Sequence, residues 1–221
     1  MNKKDFYVAM PTRAKEITNK DYDYKVIAFL QLHSNFVNYK DFGYDKNVLY
    51  GENYIYYSKL EFGGYKMKDN STFGKKIAKM LKIDDSLITS EKLNGSLVYK
   101  IDYAKEGKYF ITMHHDMLKE LVIFTNSNVI KTYCVFCYVL ANGSKQISNS
   151  KLRELTGIKS DNTMDVILKG LCKLGYIKRT LKQSDKVVVS KDETREINYK
   201  TKEYEYTLIS YEEWQGKNSK A

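Results

Sequence analysis

The spacing of apolar positions in the later part of the chain predicts two short helices separated by a sharp turn. The first helix is predicted over residues 149–155, where Leu152 and Leu155 are the buried positions and Ser148 caps the free amides of the first turn. Gly157 follows at once, and a glycine there can take the positive φ that ends a helix sharply. The chain is therefore predicted to turn and begin a second helix.

The second helix is capped by Ser160 or Asp161 and ends at Gly175. Its apolar positions recur every three or four residues and define one buried face: Met164, Ile167, Leu168, Leu171 and Leu174. The opposite face begins with short polar side chains, which suit an approach to base edges in a DNA major groove. An alternating strand over residues 176–180 follows. This order is typical of a helix-turn-helix that runs into a wing.

The candidate DNA contacts of this segment fall into two chemical groups. Side chains at the start of the second helix can hydrogen-bond to base edges, as Asn does to adenine and Asp to cytosine: Ser160, Asn162, Thr163 and Asp165. Cations on the helices and the following strand would neutralise phosphates: Lys151, Lys169, Lys178, Arg179, Lys182 and Lys186. A helical hairpin that only packs against a partner protein is the alternative interpretation.

About a hundred residues earlier the chain carries a similar pattern, which indicates an internal repeat. The strands DFYVAMP at 5–11 and KYFITMH at 108–114 each precede a polar segment that starts a helix. Apolar helices are predicted next, over 24–36 in one copy and over 129–141 in the other. Chance similarity in a biased composition is the alternative explanation.

The repeat continues through the helix-turn-helix, where YSKLEFGGYKMKDNST in the first copy matches NSKLRELTGIKSDNT in the second. The first copy then predicts a helix over 71–81 and a hairpin over 86–103 that turns at Asn94 and Gly95. Its base-reading candidates are Asn70, Ser71 and Thr72, and its phosphate-binding candidates are Lys75, Lys76 and Lys79.

Two copies of this pattern account for the length of the chain. The predicted fold class is α+β, mainly helical, with two tandem winged helix-turn-helix units over residues 1–105 and 106–211. A tyrosine-rich insertion at about 38–57 is expected to pack as a loop, with a dimer surface as the alternative. Residues 212–221 are expected to form a polar, frayed tail, with a docking peptide as the alternative.

The formal net charge of +10 favours a polyanionic partner, here double-stranded DNA. Both halves carry more basic than acidic residues, which suits an extended footprint, although the lysine-rich surface of a protein from an AT-rich genome would carry similar charge. The chain has no apolar run of about 18 residues and no signal-peptide pattern, so we expect a cytoplasmic protein and no membrane partner.

The cysteines and histidines of the sequence do not form a pattern that is typical of a catalytic site. Cys134 and Cys137 form a C-x-x-C in the middle of a helix, and with Cys172 they are expected to be buried, reduced thiols. His114 and His115 are adjacent, so on a strand they would face opposite sides and could not hold a relaxase metal together. We therefore expect no enzymatic activity, no cofactor and no metal.

Two winged helices in one basic chain of this size resemble the dual-winged-helix replication initiator proteins of plasmids and related mobile elements. The resemblance implies that the C-terminal unit reads repeated origin sites through the helix at 160–174, while the N-terminal unit adds backbone contacts and dimerisation. It also implies replication machinery as a partner. A winged-helix transcriptional regulator, which would contact the transcription machinery instead, and a winged-helix protein-interaction scaffold are the alternatives.

Overall fold

The computed structural model describes residues 7–32, 55–56, 61–62, 65–66, 72–93, 96–101, 110–189 and 196–218. These residues form a mixed α and β structure with small antiparallel sheets. In chain order the elements are β1 (Tyr7–Pro11), α1 (Ala14–Thr18), α2 (Tyr24–Leu32), β2 (Ile55–Tyr56), β3 (Glu61–Phe62), β4 (Tyr65–Lys66), α3 (Thr72–Met80), β5 (Ile88–Leu93), β6 (Ser96–Ile101), β7 (Phe110–His114), α4 (His115–Phe124), α5 (Ser127–Val139), β8 (Lys145–Gln146), α6 (Asn149–Thr156), α7 (Asp161–Lys173), β9 (Ile177–Val189), β10 (Glu196–Leu208) and α8 (Tyr211–Asn218).

The chain divides into two compact units, Met1–Cys134 and Val135–Ala221, called unit 1 and unit 2 below. The division falls within α5, later in the chain than the predicted boundary between residues 105 and 106. The two strands that the repeat predicted explain the difference, because β1 pairs with β7 in antiparallel register, from Tyr7 opposite His114 to Pro11 opposite Phe110. This pairing keeps β7 and α4 in the first unit.

The core of unit 1 is organised around α2, which is predicted as a helix buried on nearly all sides. Every residue from Val26 to Gln31 is buried, and the hydroxyl of Tyr24 donates to the Pro11 carbonyl at 3.1 Å. Asp23 caps the helix, since its carboxylate accepts from the backbone amides of Lys25 and Val26. The capped start of α2 therefore places an acidic group at the surface of unit 1.

Unit 1 also contains α3 and a three-stranded sheet in the order β2-β6-β5. The helix predicted over 71–81 and the hairpin predicted over 86–103 are confirmed as α3 and β5-β6. Two expectations are corrected. Residues 61–66 contain the paired strands β3 and β4, where the repeat predicted the end of a helix and its turn. The end of the tyrosine-rich insertion contributes the edge strand β2, while residues 38–54 lie outside the described residues.

Unit 2 follows the order helix, strand, helix, turn, helix, hairpin, with a sheet in the order β8-β10-β9. The predicted pairing of residues 176–180 with 203–209 is confirmed, and the hairpin is longer than predicted, running from the Ile177–Leu208 pair to the Val189–Glu196 pair. The core joins α7 to the sheet through these fully buried side chains: Phe136, Leu152, Met164, Leu168, Leu171, Tyr176 and Tyr206. The rings of Phe136 and Tyr206 lie 5.0 Å apart.

The frayed tail expected over 212–221 is wrong for residues 212–218, which belong to the helix α8. Ser210 caps this helix, because its hydroxyl accepts from the Glu213 amide at 3.2 Å. Trp214 is buried and stacks on Tyr211 at 5.9 Å, and its ring lies 6.1 Å from that of Tyr176. A single tryptophan thus anchors the segment to the core of unit 2.

Candidate nucleic-acid interface

The helix-turn-helix of unit 2 is fixed at both helix starts and at the turn between them. The hydroxyl of Ser148 accepts from the Lys151 amide at 3.2 Å, and that of Ser160 accepts from the Thr163 amide at 3.3 Å. Gly157 ends α6 with a φ of 70°, as predicted, and Ile158 is buried beside it. These local bonds set the path by which the chain enters α7.

A second set of contacts locks the same turn from outside. The guanidinium of Arg153 donates to the Lys159 carbonyl at 2.8 Å, and its Nε lies 3.0 Å from the carboxylate of Asp161. One side chain on α6 therefore holds both the residue before the cap of α7 and the first residue of that helix. The start of α7 is pre-organised for any partner that it meets.

The two sides of α7 differ sharply in exposure and chemistry. Its inward side carries the buried residues Met164, Ile167, Leu168 and Leu171, as the apolar spacing predicts. Its outward side carries exposed residues at helical spacing: Asn162, Thr163, Val166, Lys169 and Lys173. One stripe of this side, called the outward stripe, contains Asn162, Val166, Lys169 and Lys173. Along it a hydrogen-bonding group is followed by an apolar group and then by two cations, and the opposite side of the helix is packed in the core.

Asp165 and Arg179, both predicted to contact DNA, form an ion pair with each other. A carboxylate oxygen of Asp165 is 3.5 Å from the Arg179 guanidinium and accepts from Asn149 at 3.5 Å. The guanidinium lies 3.6 Å from the ring centroid of Tyr204, and the Arg179 side chain is only 13% exposed. These four residues, called the Arg179 clamp, join α6, α7, β9 and β10.

The Arg179 clamp adjoins a buried phenol. Burial raises the pKa of Tyr206 to about 12, although the positive charge of Arg179 opposes that rise. The guanidinium lies 5.9 Å from the Tyr206 ring centroid. Arg179 is thus surrounded by aromatic faces and a carboxylate, a setting that favours an interior guanidinium over a phosphate ligand at the surface.

The predicted phosphate ligands of unit 2 remain at the surface. Lys169 is the most exposed, at 74% of its side chain, and lies 4.0 Å from Asp165. Three others form exposed ion pairs, namely Lys151 with Glu154 at 2.7 Å, Lys178 with Glu213 at 2.9 Å and Lys182 with Glu205 at 3.3 Å. Exposed pairs of this kind are worth about 0–1 kcal/mol, so they can be exchanged for phosphates. The backbone of Lys186 lies on β9, and its side chain is outside the described residues.

In unit 1 two of the three predicted lysines on α3 form ion pairs with acidic residues of the same unit. Lys76 pairs with Asp23, and Lys79 donates to Asp21 at 2.7 Å. The hydrogen bond from Lys79 lowers the pKa of Asp21 below its ordinary value. Thr72 and Lys75 are exposed, whereas the predicted base readers Asn70 and Ser71 lie outside the described residues.

Sequence reasoning missed Val166 and Lys173 on the outward stripe of α7, and Gly170 beside it. Val166 is 69% exposed although it is a β-branched apolar residue, and Lys173 is exposed one turn beyond Lys169. A Cβ added at Gly170 would meet no atom within 4 Å. The signal was available, because Val166 and Lys173 stand four and eleven residues after Asn162, on the same face of a helix.

The described residues include no group of three or more His, Cys, Asp or Glu side chains placed to hold a metal ion. Of the three cysteines expected to be buried, Cys134 is buried, whereas Cys137 and Cys172 are half-buried, and burial raises the pKa of the Cys172 thiol. The His114 ring caps α4 by accepting from the Asp116 amide at 3.2 Å, while His33 is outside the described residues.

The helices that the structure describes include none that is both long enough and apolar enough to cross a bilayer. Comparison with protein-family models, with curated proteins and with solved structures finds no match. The site is therefore interpreted from the chemistry and placement of its own residues.

Proposed function

We propose that this protein binds double-stranded DNA in a sequence-specific manner through the outward stripe of α7. The observation that carries the proposal is the chemistry of that stripe, where Asn162 and Thr163 open a helix whose other side is fixed in the core. Asn can hydrogen-bond to adenine in the major groove with two bonds, and the start of the second helix of a helix-turn-helix is the part that approaches base edges.

The order of elements in unit 2 supports a winged helix-turn-helix. A helix and a short strand precede α6 and α7. In the sheet order β8-β10-β9, the second strand of the hairpin, β10, lies between β8 and β9. In this arrangement α7 enters the major groove and the β9-β10 hairpin is the wing beside the DNA backbone. The lysines of the wing, Lys178 and Lys182, then exchange their glutamates for phosphates.

The residues divide into readers, positioning residues and phosphate ligands. Asn162 and Thr163 are the readers; Ser160 is committed to capping α7 through its hydroxyl. Asp165 and Arg179 position α7 against the wing through the Arg179 clamp and do not bind bases or phosphates. The phosphate ligands are the exposed cations Lys151, Lys169, Lys178 and Lys182.

The biological role proposed is initiation of replication on a plasmid or related mobile element. Its support is the duplication: the order strand, buried helix, helix and hairpin occurs twice along the chain, and the sheet order β2-β6-β5 parallels β8-β10-β9. Two winged helices in one basic chain would be the feature shared with dual-winged-helix initiators. A winged-helix regulator would use the same contacts at a promoter, so the position of the bound sites separates the two roles.

The test is selection of duplexes from a random library and from the DNA that flanks the protein's own gene, with affinity measured at two salt concentrations. Asn162→Ala is expected to cost about 1–3 kcal/mol of binding to the selected sequence, while Asn142→Ala, an exposed asparagine in the turn after α5, costs nothing measurable. Repeated sites in an origin support the initiator role. Salt-sensitive binding without sequence preference, or none, contradicts the proposed function.

A further inference from the structure

The outward stripe of α7 contains an apolar side chain whose exposure is explained neither by hydrogen bonding nor by charge. Val166 is 69% exposed, and Gly170 follows it one turn later. Residues four apart on a helix are neighbours, with Cβ positions about 5–6 Å apart. An exposed methyl-bearing side chain and a half-buried glycine, which carries no side chain, thus lie side by side between Asn162 at one end and Lys173 at the other.

Neither residue benefits the protein in isolation. Valine has a lower helix propensity than alanine, and glycine is the least favourable helix residue apart from proline. The space around Gly170 does not require a glycine, because an added Cβ would have no neighbour within 4 Å. A molecule that closely approaches the helix at this step would account for both residues.

The major groove presents one kind of group that fits an apolar step, the C5 methyl of thymine. We propose that Val166 contacts a thymine methyl of the bound duplex and that Gly170 gives the clearance needed for that contact. The inference rests on the proposed function and adds to it the class of base read by the middle of α7. The methyl of 5-methylcytosine has the same chemistry at the same position of the ring, so an experiment can separate the methyl from the base that carries it.

The first experiment uses the full-length protein and the highest-affinity duplex from the library selection. Each thymine is replaced in turn by deoxyuridine, which removes only the methyl, and the affinities of the wild type and Val166→Ala are compared. At one position the wild type is expected to lose about fourfold in affinity, the value of one buried methyl, while Val166→Ala loses less than about twofold.

The second experiment tests Gly170 with a matched glycine. Gly170→Ala and Gly216→Ala both add a methyl on a helix where nothing lies within 4 Å, the latter on α8. Both variants are expected to raise the melting temperature, but only Gly170→Ala is expected to weaken binding to the selected duplex, about tenfold or more. Replacing the identified thymine with 5-methylcytosine, paired with guanine, is expected to restore the Val166-dependent methyl contribution relative to cytosine.

The outcomes distinguish this inference from the function on which it rests. If a specific duplex is found and every deoxyuridine affects the wild type and Val166→Ala equally, the thymine contact is overturned and DNA recognition stands. If Gly170→Ala binds as well as Gly216→Ala does, the clearance is overturned. If no duplex is preferred, the proposed function fails and the inference fails with it.

Discussion

The helix before the hairpin differs between the two units in how its lysines are used. In unit 1, Lys76 and Lys79 of α3 pair with Asp23 and Asp21, which lie at and just before the start of α2. In unit 2, Lys169 projects from α7 with its nearest carboxylate, on Asp165, 4.0 Å away. The repeat predicted both helices as DNA-binding, but two of the three lysines predicted as phosphate ligands on α3 form closer ion pairs than Lys169 does.

The difference shows that a lysine-rich helix need not present a positively charged surface, because nearby carboxylates can neutralise its lysines. Asp23 must stand at the start of α2 because its carboxylate caps that helix, and once there it attracts Lys76. In unit 2 the carboxylate of Asp165 instead forms an ion pair with the mostly buried Arg179 of β9. The surface of α7 is thereby left to polar, apolar and cationic groups that can meet a duplex.

The largest expected effect is a loss of stability when the buried side chain that holds each helix to its core is removed. Leu168→Ala in α7 and Ile77→Ala in α3 each delete a side chain that is almost completely buried, which costs about 2–5 kcal/mol of stability. Denaturant unfolding and duplex binding measure both effects. Leu168→Ala is expected to abolish sequence preference, whereas Ile77→Ala retains it as long as unit 2 is folded. Loss of preference in both variants would show that unit 2 does not read DNA by itself.

An intermediate effect on stability and on duplex binding is expected when the Arg179 clamp is disrupted. Arg179→Met removes the ion pair with Asp165 and the contact with Tyr204, and is expected to cost roughly 1–3 kcal/mol of stability. Binding should weaken because α7 is no longer held against the wing.

The slope of log affinity against log salt concentration separates positioning from phosphate contact. It should stay unchanged in Arg179→Met, because that side chain neutralises no phosphate in this account. Lys182→Met on the same strand is the control, and it should reduce the slope by about 0.9 with little loss of stability. A reduced slope in Arg179→Met would instead make Arg179 a phosphate ligand.

The smallest effect concerns pH and the pairing of Lys79 with Asp21. The folded-state pKa of Asp21 lies below its ordinary value, so the pair stabilises unit 1 above the unfolded-state pKa, and this stabilisation is lost as pH falls through the folded-state pKa. Lys79→Met is expected to raise the Asp21 pKa toward its ordinary value in a carboxyl NMR titration, with a small loss of stability near neutral pH. Lys75→Met, which changes another exposed lysine of α3, should leave the titration unchanged.

Sequence reasoning succeeded where the determining interactions are local. The caps at Ser148 and Ser160, the positive φ of Gly157 and the buried face of α7 all follow from residues within one or two turns. The caps, the turn and the buried face need only the neighbours of each residue, so a single sequence contains enough information to place them. The pairing of residues 176–180 with 203–209 was also predicted, from the alternation of apolar positions, but without its register or full length.

Features that depend on distant partners were missed. The β1-β7 pairing joins residues about a hundred positions apart and moves the unit boundary to Cys134. The contact between Arg179 and Tyr204 was not predicted, because the aromatic ring comes from β10, far along the chain. Trp214 looked like part of a frayed tail because its contact with Tyr176 is invisible in the local pattern.

The most direct test of α7 as the reading helix is the ratio of specific to non-specific duplex affinity in two matched variants. Asn162→Ala changes the start of α7, and Thr72→Ala changes the start of α3. The ratio is expected to fall by roughly one to two orders of magnitude in Asn162→Ala and to stay near the wild-type value in Thr72→Ala. An unchanged ratio in Asn162→Ala, or an equal fall in both variants, would contradict the assignment of sequence reading to unit 2.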